Sequence, residues 1–136
     1  MNIGIVGCGG RMGRMLIETV MATDGAALAG GTEQAGSPFV GQDLGLLVGS
    51  KTVGAVVLDD ARALFDASDV VIDFTVPAAT AAHAALAFDT RTAMVIGTTG
   101  LSPEQQSAVQ GGSETAAIVQ AGNMSLGVNL LVGLAR

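Results

Sequence analysis

The chain opens Met1-Asn2-Ile3-Gly4-Ile5-Val6-Gly7-Cys8-Gly9-Gly10-Arg11-Met12-Gly13, and the reading of this stretch decides the fold. Asn2 to Val6 is a short, largely apolar run with the length of a buried strand. A glycine-rich turn follows. From Met12 to about Thr23 the residues Met15, Leu16, Thr19 and Val20 fall on one face of a helix. Strand, glycine turn and helix in this order make the first half of a βαβ unit. The strict GxGxxG spacing fails because Met12 stands at its last position, whereas GxxGxxG fits through Gly7, Gly10 and Gly13. In such a loop one glycine permits the tight turn, one lets the backbone approach a phosphate, and one lets helix and strand pack closely.

Downstream, short apolar runs alternate with helical segments, the pattern of a parallel sheet with crossover helices. Strands are expected at Ala26 to Thr32, Val56 to Leu58, Val70 to Phe74, Ala93 to Gly97 and Ala116 to Gln120. Helices are expected at Asp59 to Ala67, from Pro77 to near Phe88, and from Ser102 to about Gln110, where Ser102, Pro103 and Gln105 supply a cap, a first-turn proline and a capping-box acceptor. Glu33 to Gly54 is rich in glycine and has little periodicity, so it reads as a long, mobile loop. Ser125 to Arg136 begins a further apolar helical pattern and stops without a C-cap, which reads as a truncated chain. The fold class expected is α/β: a Rossmann-type, doubly wound, mostly parallel sheet with helices on both faces, forming one dinucleotide-binding domain over residues 1–136.

A second test of the glycine loop lies at the end of the second strand. Glu33 stands 20 residues after Gly13, where an acid accepts hydrogen bonds from the adenosine ribose hydroxyls. The pyrophosphate would sit on the loop, against the positive end of the first helix. A 2'-phosphate beside Glu33 would be repelled, and the next residue, Gln34, is neutral. NADH is therefore the cofactor expected, with NADPH admitted if Arg11 swings toward the phosphate.

Composition narrows the function. Hydrophobic residues make up 49% of the chain and charged residues 13%, a balance that suits a sheet buried on both faces. A net charge of -6 argues against nucleic acid and anionic membranes, and the absence of Trp and Tyr removes a stacking platform for bases. No apolar run approaches the roughly 20 residues that span a bilayer. The lone Cys8 excludes an internal disulfide and no leader-like segment precedes the first strand, so a cytoplasmic location is expected.

Other reactive side chains read more modestly. His83, the only histidine, lies on an alanine-rich helix and suits capping or packing better than catalysis. Cys8 suits a space-filling role better than that of a nucleophile, having no base near it in sequence. Asp73 is either a catalytic carboxylate or a strand-end acid capping the Phe74-Thr75 turn, and it is left out of the catalytic set. Thr98 and Thr99 end the fifth strand on the edge where open α/β sheets bind ligands, so their hydroxyls are candidates for ribose or carboxamide contacts. No metal site is read.

Four separated motifs carry a family resemblance: Gly9-Gly10-Arg11-Met12-Gly13; Asp73-Phe74-Thr75 with Pro77 and His83; Gly97-Thr98-Thr99-Gly100; and Asn123-Met124-Ser125-Leu126-Gly127-Val128-Asn129. Together they resemble the dihydrodipicolinate (4-hydroxy-tetrahydrodipicolinate) reductases of diaminopimelate and lysine biosynthesis. The resemblance implies that Gly7, Cys8, Gly9, Gly10, Arg11 and Met12 hold pyrophosphate and Glu33 the adenosine ribose. It further implies that Gly97, Thr98 and Thr99 meet the nicotinamide side, and that Ala121, Gly122, Asn123 and Met124 close over the cofactor. Met124 is a tolerable departure from the phenylalanine or similar large residue usual near there, and Gln34 departs from the basic residue frequent in members that use NADPH. Members continue into a substrate domain that carries the proton donor and the carboxylate anchors. That domain is absent here, so no catalytic residue is assigned and the chain alone should be inactive. The full-length family resembles homotetramers built through that domain, so this chain should be a monomer or weak dimer. The competing readings are a non-catalytic NAD-binding or sensing module and the Rossmann half of another two-domain dehydrogenase.

Overall fold

A computed structural model describes residues 1–121, so the expected helix at Ser125 to Arg136 and the candidate residues Gly122, Asn123 and Met124 lie outside the described residues. The elements run β1 (Asn2–Val6), α1 (Arg11–Met21), β2 (Ala27–Thr32), α2 (Leu44–Leu47), β3 (Val57–Leu58), α3 (Ala61–Ala67), β4 (Val70–Asp73), α4 (Pro77–Thr90), β5 (Ala93–Ile96), α5 (Pro103–Gly112) and β6 (Ile118–Gln120). The sheet has the order β3-β2-β1-β4-β5-β6, and every pair in it is parallel. Mostly parallel becomes wholly parallel among the described strands.

Alternation along each strand sends side chains to two separate cores. Ile3, Ile5, Val70, Ile72 and Val95 pack on one face beneath Leu16, Ile17 and Val20 of α1 and Leu44 and Leu47 of α2. Val6, Val71, Met94 and Ile96 pack on the other face against Leu64 and Phe65 of α3, Ala84 and Ala87 of α4 and Val109 of α5. The alanines let α4 approach α5: a Cβ on Gly112 would stand 2.6 Å from the Ala84 carbonyl. Caps start the helices where the sequence places them. Asp60 accepts from the Ala63 amide, Pro77 opens α4, and Ser102 and Gln105 form both bonds of a capping box.

The segment from Glu33 to Gly54 departs from the expected loop. Asp43 accepts from the amides of Gly45 (2.8 Å), Val53 (3.0 Å) and Gly54 (2.9 Å), drawing two stretches of chain around one carboxylate. Leu44 and Leu47 of the resulting short helix are buried, and Asp43 bridges to Val56. The order comes from one capping side chain and a few apolar anchors; local periodicity over four residues is too short to announce it.

Candidate functional site

The strand order reverses between β1 and β4, and their carboxyl ends open the crevice where such sheets take ligands. Val6 and Asp73 are register partners at that edge. A cleft of about 300 Å³ lies there, lined among others by Gly7, Gly10, Glu33, Thr75, Val76 and His83. A second, of about 390 Å³, lies at the carboxyl ends of β5 and β6 against Thr98, Thr99, Gly100, Gln120 and Ala121. Of the candidate residues within the described chain, Gly7, Gly10 and Glu33 line the first hollow and Thr98, Thr99 and Ala121 the second, while Cys8, Gly9, Arg11, Met12 and Gly97 line neither.

The three glycines of the loop do different things. Gly7 adopts φ +69°, a left-handed turn that glycine enters without penalty. A Cβ on Gly13 would lie 2.5 Å from Cys8 Cα and 2.6 Å from its carbonyl oxygen, so the start of α1 rests directly on the loop backbone. Gly10 is open by contrast: the nearest atom to an added Cβ is the Gly7 carbonyl at 3.4 Å. Gly10 is also the N-cap of α1 and offers no side-chain cap, and no acid stands in the first turn. The first amides of α1 therefore keep donors for an anion, with exposed Arg11 beside them.

Glu33 reaches back to this loop. Its Oε1 accepts from the Gly9 amide at 2.7 Å, and the residue lines the first cleft. Two residues that the sequence reading did not single out complete the brace. Arg14 donates to the Gly9 carbonyl (3.0 Å) and to the Leu47 carbonyl (2.8 Å), and its guanidinium lies 5.2 Å from the centre of the Phe39 ring. Phe39 in turn covers Gly9, where a Cβ would come within 2.5 Å of the ring. The segment expected to be mobile is thereby fastened to the glycine loop. No short-range signal pairs position 14 with positions 39 and 47.

Cys8 is fully buried, and burial first, then the nearby Glu33 charge, push its thiol up to about 12. It fills space, as expected. Asp73 is also fully buried. Its Oδ1 accepts from the Thr75 amide (2.9 Å) and hydroxyl (2.6 Å) and from the Thr98 hydroxyl (3.3 Å), and its Oδ2 pairs with His83 Nδ1 at 2.7 Å. Burial raises the Asp73 carboxyl, but the His83 bond and charge, followed by the Thr75 donors, outweigh it and hold the group below the ordinary carboxylate value. Asp73 thus caps its turn, one of the two roles read from sequence, and His83 serves as its partner. The Thr98 hydroxyl is spent inside this network, and Gly97 is buried beneath Phe74, which leaves the exposed Thr99 beside Thr98 at the second cleft.

A wholly parallel sheet in this order, with an uncapped helix start and an acid meeting at the strand reversal, defines a nucleotide-binding domain of the Rossmann class. Residues 1–124 match the family model described as dihydrodipicolinate reductase, N-terminus, and the chain belongs to that family, whose cofactor is NAD(P)H. It is similar to the 4-hydroxy-tetrahydrodipicolinate reductase of Dinoroseobacter shibae, 51% identical over 133 residues that cover 98% of this chain and 49% of the relative. It is also similar to the reductase of the same name from Brucella abortus, 47% identical over 131 residues covering 96% of this chain and 49% of that one. Among solved structures, a dipicolinate-bound dihydrodipicolinate reductase from Paenisporosarcina sp. TG-14 shares the fold. Its TM-score is 0.73 at 24% identity, over 93% of this chain and 48% of that chain. The chain spans about half the length of the curated relatives it matches. Among the described residues no helix is long and apolar enough to cross a membrane.

Proposed function

We propose that this chain holds NADH along the carboxyl edge of its sheet, as the cofactor half of a reductase acting on 4-hydroxy-tetrahydrodipicolinate. The observation that carries the reading is the open cleft at the β1/β4 reversal, where the uncapped start of α1 and the Glu33 carboxylate converge on space next to Gly10. In it the loop Gly7 to Met12 receives the pyrophosphate on the amides of Arg11 and Met12 at the start of α1, those of Gly7, Cys8, Gly9 and Gly10 being bonded within the protein, and the second Glu33 oxygen accepts from the adenosine ribose. Thr98, Thr99 and Ala121 offer backbone and the Thr99 hydroxyl on the nicotinamide side, with Gly97 behind them and Gly122, Asn123 and Met124 next in sequence.

Bound NADH supplies a hydride. This chain's own residues bind, orient and fix the cofactor's distance from the substrate, which is the protein's share in such chemistry. The carboxylate at position 33 beside neutral Gln34 favours an unphosphorylated ribose. Arg14 is held at the Gly9 and Leu47 carbonyls through Nε and Nη1. Isothermal titration of the 136-residue chain with NADH tests the reading: saturable one-to-one binding, weakened by added ADP-ribose, is expected, and no heat at millimolar NADH would reject it.

A further inference from the structure

Within the described chain the buried polar side chains are Thr32, Asp73, Thr80, Thr92 and Thr98, and three of these five belong to one cluster. Thr80 of α4 donates to the Thr98 hydroxyl at 2.8 Å, and Thr98 in turn donates to Asp73 Oδ1 at 3.3 Å. The Thr75 amide also reaches Thr98 Oγ1, at 3.1 Å. His83, two turns into α4, closes the other side of the carboxylate, while the Gly97 amide bonds the Asp73 carbonyl at 2.8 Å. A second contact runs in parallel: the Phe74 ring packs against Gly97, occupying the place a Cβ would take. The end of β4, the first turns of α4 and the segment leaving β5 are thus bound to one fully buried charge.

A buried carboxylate is an expensive way to join three elements, because its desolvation must be offset by every donor around it, and well-packed apolar groups would serve stability as well. What the charge adds is direction, since each hydroxyl has one proton and one required partner. All of that direction is applied at the ligand edge of the sheet. From Gly97 the chain runs on through exposed Thr99 and Gly100, which line the second cleft.

We infer that Asp73 is a positioning residue for the cofactor: through the Thr98 hydroxyl it sets the Gly97 to Gly100 backbone at the height the nicotinamide requires. The inference rests on the proposed placement of NADH. For the Thr98 hydroxyl it predicts a loss concentrated on one half of the ligand, because Thr98 lines the second cleft, whereas the pyrophosphate and ribose contacts come from the glycine loop and Glu33. Asp73 also holds Thr75 and His83, which line the first cleft, so Thr98 carries the discriminating test.

The test uses Thr98→Val, which keeps shape and removes the hydroxyl, with Thr98→Ser as the conservative control and Asp73→Asn as the companion variant. For each, the dissociation constants of NADH and of ADP-ribose, which lacks nicotinamide, are measured beside the fluorescence of the bound reduced nicotinamide and the melting temperature. Thr98→Val is expected to weaken NADH on the order of fivefold or more, with ADP-ribose changed less than about twofold, and to shift the nicotinamide emission toward that of free NADH. Thr98→Ser should restore both readings. Equal losses for the two ligands, or unchanged NADH binding and emission, would overturn the inference while leaving the cofactor reading intact. A parent chain that binds neither ligand would overturn both. If Asp73→Asn does not fold, Thr98→Val and Thr98→Ser decide the matter alone.

Discussion

The carboxylate of Glu33 and the amide of Gly9 are joined by a 2.7 Å hydrogen bond, so the acid that follows β2 supports the glycine loop as well as lining the cleft. One oxygen is committed to the protein, and in the proposed complex the other accepts from the ribose. The negative charge therefore cannot swing away to admit a 2'-phosphate without releasing Gly9. The parent chain is expected to bind NADH about tenfold more tightly than NADPH, the equivalent of about 1.4 kcal/mol. Gln34→Arg should narrow that gap by giving the phosphate a two-pronged partner. Paired dissociation constants at one low salt concentration check it, and equal affinities in the parent would refute the assignment of position 33.

The glycine loop separates binding from stability. Gly10→Val adds a side chain to open space and should leave the circular dichroism spectrum unchanged while abolishing measurable NADH binding. Gly13→Ala forces a Cβ against the Cys8 backbone and should lower stability by about 1 to 3 kcal/mol, the range for overpacked sites. Urea unfolding and titration of the two variants should give opposite profiles. Matching profiles would contradict the division of labour.

Arg14 fastens the segment after β2 to the loop through two carbonyls and an aromatic face. Arg14→Met keeps the aliphatic stem and removes the donors, and a cost of about 1.5 to 3 kcal/mol is expected for bonds to a charged group. Hydrogen exchange should locate the effect: amides of the Phe39 to Val48 stretch lose protection first. Uniform loss over the whole sheet would mean that the clasp is not local.

Cys8 offers a pH-dependent probe. With its thiol pushed up to about 12, Cys8 in the folded chain should react with iodoacetamide at pH 8 far more slowly than in urea. The raised value means that the folded state holds the thiol proton more tightly. Stability from this group is intact below the ordinary value of 9.0 and is lost as pH rises from there toward 12. Cys8→Ser, with a hydroxyl that does not titrate in this range, should flatten the alkaline limb of the stability profile.

Asp73 gives the opposite sign at the acid end. Its depressed value means that its contribution is present above the ordinary carboxyl value of 3.8 and is lost as pH falls through the lower, folded-state value. The stability difference between parent and Asp73→Asn should therefore shrink in acid. A difference independent of pH would show that the carboxylate charge contributes nothing.

Much of this architecture is legible in the sequence because its signals are local. Ser102 with Gln105, Pro77 at a helix start and the spacing of Gly7, Gly10, Gly13 and Glu33 each act over a few residues or one βαβ unit. The Asp73–His83 pair and the reach of Arg14 to Leu47 are of another kind. Each joins residues whose proximity exists only after the sheet has assembled, and an arginine on a helix face carries no mark of the carbonyl it will meet. Asp43 was hidden for the same reason, since two of its amide partners, Val53 and Gly54, lie ten and eleven residues further on.

Gly31 of β2 lies so close to Cys8 that an added Cβ would stand 2.6 Å from Cys8 Sγ and 2.7 Å from its Cβ. The two positions share a single allotment of volume beneath the loop. Across descendants of this sequence, a methyl group gained at position 31 must be matched by atoms given up at position 8, so neither site drifts alone. Enlarging both would lift the loop away from β2 and draw the Gly9 amide off Glu33, so a change made wholly within the core would register as altered cofactor affinity.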